Sequence, residues 1–484
     1  MSDEHAAVSD PKIVDFGKFR EEFGGGGRGG GGGPPGGGAP SEPESSAVFA
    51  SEDAMGLQLV DELGEDWHYV EKWDDWITWN GSYWERDQKC QVFDRARIVC
   101  RGTAGPIDTR AGALRRFISS RRVTWSVEQF ARKDPRMIMT PEVFDGDPFL
   151  LNTPAGIVDL NTGQLYGHDR DKWMTELAGA GPEGECPTWM RFLHEITGGD
   201  VVYQQYLQRL IGYSLTGSCE EEIFAFCYGP PNTGKSKFVE TIRLLHGTYG
   251  TSAPMSSFVA TTAERHPTDL AGFVGKRLVT AAETDEGRRW DQQRITNLTG
   301  RDQIKARFMR GDFFSYYPQF LLIFHGNCRP RLGGVDMAMR RRLHLLPFTN
   351  KPKQIDAHLI DKFKLELGGI MVWAVHGAVL WRKHGLQPPP IVLQATKDYF
   401  DRESLIESWL DDRCARDPNA KTELSTLYAD YAAWAKKANE YILPQRRFTD
   451  ALENLGFNRD RDWRTRHVQV VGLAITDSNG ELGL

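Results

Sequence analysis

Residues 222–236 read EIFAFCYGPPNTGKS, a compact apolar run followed by the octapeptide GPPNTGKS. A short hydrophobic strand feeding a glycine-bearing turn, and then a helix opening at Lys235 and Ser236, is the setting a P-loop requires. The residues Gly229, Pro230, Pro231, Asn232, Thr233 and Gly234 form the cradle. In it the two glycines let the backbone turn tightly enough for N–H groups to face the phosphates, at the positive end of the following helix. Lys235 is expected to reach the β and γ phosphates and Ser236 to offer a hydroxyl to the metal, so ATP and Mg2+ are the expected cofactors.

An ATPase also needs carboxylates to hold the metal and to orient a water. The next apolar segment, KRLVTAAETDEG at 276–287, ends in three of them. Glu283 directly follows the strand-like LVTAA and is expected at the carboxyl edge of the sheet as a metal-site residue, beside Ser236. Asp285 and Glu286 are candidates for the activating base, with Glu286 preferred. A third apolar run, FLLIFHGNCRPRL at 320–332, brings Asn327 to the same edge, where an amide can bond the attacking water or the γ phosphate. A lone asparagine after a strand is usually only a turn former, and its position after the two preceding segments favours the functional reading.

Farther along, DMAMRRRLHLLPF at 336–348 carries Arg340, Arg341 and Arg342 in succession, which cannot all face one way. One of them is expected to neutralise charge developing on a triphosphate, and Arg341 or Arg342 is favoured. Between the acidic strand and the asparagine, alternation in IKARFMRGDFFSYY at 304–317 predicts a hairpin turning at 310–312. Lys305, Arg307 and Arg310 on it are candidates for contact with a phosphate backbone.

The net charge of −7 over 484 residues does not advertise a nucleic-acid binder, but a ring or channel needs positive charge only along the surface that tracks the polymer. Seven cysteines, an odd number with no C-x-x-C pair, imply a reduced, cytoplasmic chain. No signal peptide and no membrane-crossing stretch is expected.

Residues 1–48 include GGGGRGGGGGPPGGG and read as a disordered Gly-rich tail. In 67–87, WHYVEKWDDWITWNGSYWERD, the NG pair predicts a hairpin that returns Trp76 and Trp79 through Tyr83 and Trp84, with core packing favoured over base stacking. Arg115, Arg116, Arg121 and Arg122 cluster in a helix-forming stretch, either touching DNA or forming a solvated face. PFLLNTPAGIVDLNTGQL at 148–165 reads as short strands joined by turns, and two helices then lead to the P-loop. Strands are expected at 222–228, 277–282 and 320–325, helix from 354 to 383, and a breaker at GLQPPP, 385–390. Further helices are expected near 401–415 and 421–438, then a small strand pair. Arg446, Arg447, Arg461, Arg464 and Arg466 tilt that last unit toward a nucleic-acid face, with protein docking left open.

These segments together resemble the superfamily III helicases, and within them the primase-helicase group of phages, plasmids and poxviruses. The resemblance rests on GPPNTGKS, DLAGFVGKRLVTAAETDEGRR, LTGRDQIKARF, FLLIFHGNCRPR and MRRRLHLLPF. Their spacing is compact, with 48 residues from Lys235 to Glu283, 44 more to Asn327 and 14 more to Arg341. The fold class so implied is α/β, an AAA+-type P-loop ATPase core at 218–350 with an N-terminal mixed α/β accessory domain at 49–217. A helical connector at 351–395 and a winged-helix-like C-terminal domain at 396–484 follow.

The resemblance implies a homo-hexameric ring that translocates on single-stranded DNA, usually 3' to 5', and opens forked DNA in replication, with a primase or other replication partner. It implies Lys235 and Ser236 at the phosphates and metal, Glu283 at the metal, Asn327 as γ-phosphate sensor, Arg341 or Arg342 as a finger supplied in trans, and Lys305 or Arg310 on DNA. Only the tail and the aromatic region precede the helicase unit, so a primase domain is not expected in the chain. Two other readings remain: a DNA-stimulated ATPase that remodels or loads a partner without unwinding, and a non-enzymatic DNA-binding or origin-marking module.

Overall fold

A computed structural model describes residues 51–261, 267–282, 290–309, 311–327, 337–352, 354–438, 442–461 and 467–476. The Gly-rich tail lies outside them. In α1 (Glu52–Leu63), Ser51 Oγ accepts from Ala54 N at 3.1 Å and starts the helix, whose buried residues Met55, Leu59, Val60 and Leu63 fall on one face. The aromatic stretch supplies β1 (Trp67–Val70), β2 (Asp75–Trp79) and β3 (Trp84–Arg86). Asn80 closes the β2–β3 turn, its Oδ1 accepting from the N–H groups of Ser82 and Tyr83, with Gly81 at φ 94°. Trp79 faces Trp84 across the hairpin.

Next come α2 (Gln91–Ala104), α3 (Gly112–Ile118), α4 (Arg121–Arg132) and β4 (Ile138–Met139), which gives the sheet order β3-β2-β1-β4. Trp67, Tyr69 and Trp76 share a core with the apolar faces of α1, α2 and α4. Trp84 is stacked on Trp173, with ring centroids 4.9 Å apart. The tryptophans are thus core residues, and the buried Trp76 Nε1 donates to Glu128 Oε1 at 2.9 Å.

The segment that follows forms the antiparallel trio β5 (Leu150–Thr153), β6 (Gly156–Asp159) and β7 (Leu165–Tyr166), then helices α5 (Pro187–Thr197) and α6 (Val201–Leu215). The GPPNTGKS segment follows β8 (Phe224–Tyr228), and its Lys235 opens α7 (Lys235–His246). Then come β9 (Gly250–Ser252), β10 (Leu278–Ala282), α8 (Gln292–Thr299), β11 (Ile304–Arg307), β12 (Phe313–Tyr316), β13 (Leu321–Gly326), α9 (Met337–Arg342) and β14 (Leu343–Pro347).

Five of these strands form one parallel sheet in the order β14-β8-β13-β10-β9. Its four longer strands are mostly apolar because both faces are covered, while the edge strand β9 is the short polar Gly250–Ser252. Ala225, Cys227, Ile323 and Leu346 turn to one face, onto α5, α6 and α7, while Phe224, Phe226, Leu322, Phe324 and Leu345 turn to the other.

The first of these cores extends from Leu151 to Val392, so it runs across residue 217, where the sequence divides an accessory domain from the ATPase core. Arg277 fastens the join: its guanidinium donates to Leu215 O at 2.7 Å and Leu150 O at 2.8 Å and lies over the Tyr249 ring.

The expected helix at 354–383 is two helices, α10 (Leu359–Leu365) and α11 (Leu367–His384), bent by 74°. Among the described residues no single helix is long and apolar enough to cross a membrane; this bent pair passes by length and composition, and Phe363, Ile370, Met371, Ala374 and Ala378 are buried in the core beside α6.

Gly385, at φ 71°, ends α11, and Pro390 opens α12 (Pro390–Arg413). This helix corrects the expected start near 401, and the boundary drawn at 395 falls inside it. It carries Tyr399 and Phe400 into the sheet's core and Ile406, Trp409 and Leu410 into the core of the last unit. That unit contains β15 (Cys414–Ala415), β16 (Lys421–Glu423), α13 (Leu424–Lys437), α14 (Gln445–Asn454), β17 (Arg459–Arg461), β18 (Val468–Val471) and β19 (Ala474–Ile475). The helix expected from 421 therefore begins as a strand, because Lys421, Thr422 and Glu423 pair with Val471, Val470 and Gln469.

Candidate nucleotide site and nucleic-acid hairpin

Because β8 is flanked on both sides by parallel strands, its carboxyl end is fixed in depth, and Gly229 leaves it at φ 147°. A Cβ there would stand 2.0 Å from Phe348 O, so only glycine fits. Asn232 (φ 63°) and Gly234 (φ 90°) continue the left-handed turns that curl the backbone around a concavity, and a Cβ on Gly234 would meet Phe192 and Ile196 of α5 below 3.0 Å. Thr233 Oγ1 donates to Pro230 O at 2.9 Å and braces the loop; Pro231 is exposed on its outer side.

Lys235, the first residue of α7, is buried, with Nζ donating to Gly229 O (2.8 Å), Pro230 O (2.7 Å) and Thr233 Oγ1 (3.4 Å). Burial lowers its pKa from the usual lysine value. The ammonium is therefore pre-placed in the loop with all three donors engaged. The residues present fit a triphosphate: a backbone cradle, a helix N-terminus and a cation inside the curl. For Mg2+ the described residues offer the Ser236 hydroxyl at the first turn of α7. Among the described residues no group of three His, Cys, Asp or Glu forms a protein cage, while Ser236 is exposed with its hydroxyl beside the cradle.

A cavity of about 680 Å3 adjoins the loop, lined among others by Ser236, Arg243, Ser252, Thr280, Ala282 and His325. Tyr228 pairs with Gly326, and Ala282 with His325, so β8, β13 and β10 end side by side at one edge. Asn327 follows Gly326 directly and is exposed at that edge, next to the cradle strand. Glu283, Asp285 and Glu286 lie outside the described residues. His325 was not singled out from the sequence, yet its ring lines the cavity. Burial and the positive charge of Lys235 push its pKa below the usual histidine value, which keeps the imidazole neutral at pH 7.

The arginines are separated from all of this by the length of the sheet. Arg342 immediately precedes Leu343, which pairs with Phe224, the first residue of β8, while Gly229 follows the last. Five residues of strand, about 16 Å, lie between the two edges. Arg342 is buried and its Nη2 is 2.9 Å from Glu222 Oε2. Arg340 bonds Asp401 at 3.1 Å. Arg341 stays 68% exposed, in a loose 3.8 Å pairing with Glu222. Glu222, read in the sequence only as the head of an apolar run, is the carboxylate that orients this segment.

The hairpin forms as expected: β11 and β12 are antiparallel, with Lys305 opposite Ser315 and Arg307 opposite Phe313. Its outer face carries Lys305, Arg307, Phe313 and Tyr317; the Arg307 guanidinium lies 5.0 Å from the Phe313 ring centroid. Phe308 and Met309 are exposed at the tip. Arg310 lies outside the described residues. The alternation that turns Lys305 and Arg307 outward also turns Phe313 to the same face.

Residues 56–198 match the family described as D5 N terminal like. Over 263 residues the chain is 27% identical to the protein named "Putative helicase L207/L206" of Acanthamoeba polyphaga mimivirus. Over these stretches the chain is similar to D5-like helicase proteins. The alignment covers 49% of the chain and 27% of the mimivirus protein, so the chain spans about a quarter of the length of that curated relative. Among solved structures, two of the C-terminal region of NrS-1 superpose with TM-scores of 0.46 and 0.47 at 7% and 9% identity. They cover 86% and 87% of this chain and 98% and 99% of those.

Proposed function

We propose that the chain is an ATP-driven DNA helicase of the AAA+ type, active as a ring of identical subunits, most simply six. The observation that carries this reading is the separation of Arg341 from its own cradle by the full depth of the sheet. A guanidinium about 16 Å from the phosphate loop of its own chain, and left 68% exposed, serves a nucleotide held by a neighbour. The insertion of β13 between the cradle strand and β10 supports the same reading, because it brings Asn327 between the phosphates and the expected metal carboxylate, Glu283.

The chain's own residues then act as follows. Lys235 exchanges its bonds to Gly229 O and Pro230 O for phosphate oxygens. Ser236 and Glu283 would hold Mg2+, which would neutralise phosphate charge. Asn327 orients the water, Glu286 accepts its proton, and neutral His325 leaves the charge of Lys235 uncontested. Closure of each boundary on ATP moves the β11–β12 hairpin, whose Lys305, Arg307 and Arg310 hold the backbone of single-stranded DNA, with travel 3' to 5'. The terminal unit, in which described helices pack with two small antiparallel sheets, serves as a winged-helix module carrying Arg446 and Arg447.

The test is unwinding of a fork with a free 3' tail by the full chain with ATP and Mg2+. Strand release that depends on hydrolysis and is abolished by Lys235→Ala supports the reading. Robust DNA-stimulated turnover without strand release assigns the chain to partner remodelling, and DNA affinity without turnover to a binding module.

A further inference from the structure

The cluster Arg115, Arg116, Arg121 and Arg122 takes no part in the site above. Helix α4 buries Val123, Thr124, Val127, Glu128 and Ala131 against the N-terminal core. Arg121, Arg122 and Trp125 are left on its outer face, three and four residues apart. Trp125 is 57% exposed, a large indole held in water. Helix α3, two residues upstream, turns Ile118 inward and leaves Leu114, Arg116 and Phe117 exposed.

The charge balance is as one-sided as the aromatic exposure. Between residues 109 and 133 there are seven basic side chains and one carboxylate, Glu128, in a chain of net charge −7. Glu128 is turned inward, engaged by Trp76 Nε1 at 2.9 Å and Arg132 Nη2 at 2.7 Å. Among the described residues no carboxylate stands within 4.0 Å of Arg115, Arg116, Arg121 or Arg122, whereas Arg97, Arg136 and Arg170 in the same unit are all paired. A merely solvated helix face has neither reason to exclude carboxylates nor a use for an uncovered tryptophan.

We propose that the outer face of α3 and α4 is a binding surface for a single-stranded polynucleotide, with Trp125 stacking on an unpaired base and the arginines following the phosphates. The partner must be anionic and must offer flat apolar faces. A duplex hides its base faces, and an acidic peptide supplies charge without them. The surface is separate from the β11–β12 hairpin and acts without ATP turnover, so it gives the N-terminal unit a grip on the strand of its own.

The test is fluorescence anisotropy of the full chain with a labelled oligothymidylate, without nucleotide, across a salt series. Arg121→Ala with Arg122→Ala should weaken binding about tenfold or more and reduce the slope of log K against log salt by about 1.4, the value for two lost phosphate contacts on a single strand. Trp125→Ala should weaken binding at least about fivefold with the slope unchanged, and Trp125→Phe should restore most of it. Unchanged thermal unfolding checks that these exposed changes spare the fold. Unaltered affinity and slope in both variants, or an effect confined to self-association or to binding of an acidic protein, overturns the inference. Failure of the wild-type chain to turn over ATP would sink the proposed function and leave this binding measurement readable.

Discussion

Arg342 Nη2 stands 2.9 Å from Glu222 Oε2, and this pairing, at the amino edge of the parallel sheet, turns the neighbouring Arg341 outward. Three consecutive arginines thereby take three different tasks: one bound to α12, one exposed, one buried.

Arg341→Ala should lower kcat for ATP at least about 100-fold while leaving thermal unfolding unchanged. Mixing it with Lys235→Ala chains should recover part of the turnover, because mixed rings contain boundaries where an intact Arg341 meets an intact Lys235. Steady-state ATPase assays over mixing ratios check this; strictly additive rates with no recovery would rule out action across the boundary.

Arg342→Ala should act differently, through stability. It leaves a partly buried Glu222 without its closest partner, at a cost of about 2 kcal/mol, below the range for a fully buried pair because Glu222 is 32% exposed. Urea unfolding gives the number, and a midpoint equal to that of the wild type contradicts it.

Gly234→Ala forces a side chain into a φ of 90° and against Phe192 and Ile196, so about 1–3 kcal/mol of backbone strain is expected together with loss of nucleotide binding. Titration with a fluorescent ATP analogue should detect no saturation. Removing the neighbour with Phe192→Ala should not restore it, since the strained φ remains.

Two buried histidines set the acid limit of the fold. His246, held among Ile242 O, Ser214 O and Ser214 Oγ, and His344, beside Tyr206 Oη at 2.6 Å, are both pushed down to about 4 by burial. Their folded pKa values lie below the unfolded 6.5, so the unfolded chain takes up protons first. Stability is full above about pH 6.5 and is lost as the pH falls toward 4. Between pH 7 and 5 each should contribute a loss of about 2 kcal/mol, read from urea unfolding at the two pH values.

On the hairpin, Lys305→Ala with Arg307→Ala should weaken single-stranded DNA binding about tenfold and lower the salt slope by about 1.4. Anisotropy at several salt concentrations measures both. Loss of affinity with an unchanged slope would assign the effect to Phe313, on which the Arg307 guanidinium rests.

The phosphate loop, the Trp79–Trp84 hairpin and the β11–β12 hairpin were legible because each is written in contiguous residues whose turn chemistry is local. The different surroundings of Arg341 and Arg342 were not. They depend on Glu222, 120 residues before Arg342, and become visible only once β14 is known to pair with β8. His325 was overlooked because strand alternation marks a side for each residue without saying which side faces a cavity. The core shared across residue 217 had no local signal, since Leu151 and Val158 meet α6 and α11 only in three dimensions. The start of α12 is hidden in the sequence because the run Pro388–Pro390 has the composition of a breaker, while Pro390 occupies the first helical position.

That unbroken α12 spans about 36 Å and sits astride two hydrophobic centres, with Asp401 clasped to Arg340 between them. In the proposed ring, displacement of the arginine segment by a neighbour's nucleotide would be carried along this continuous helix to the terminal unit.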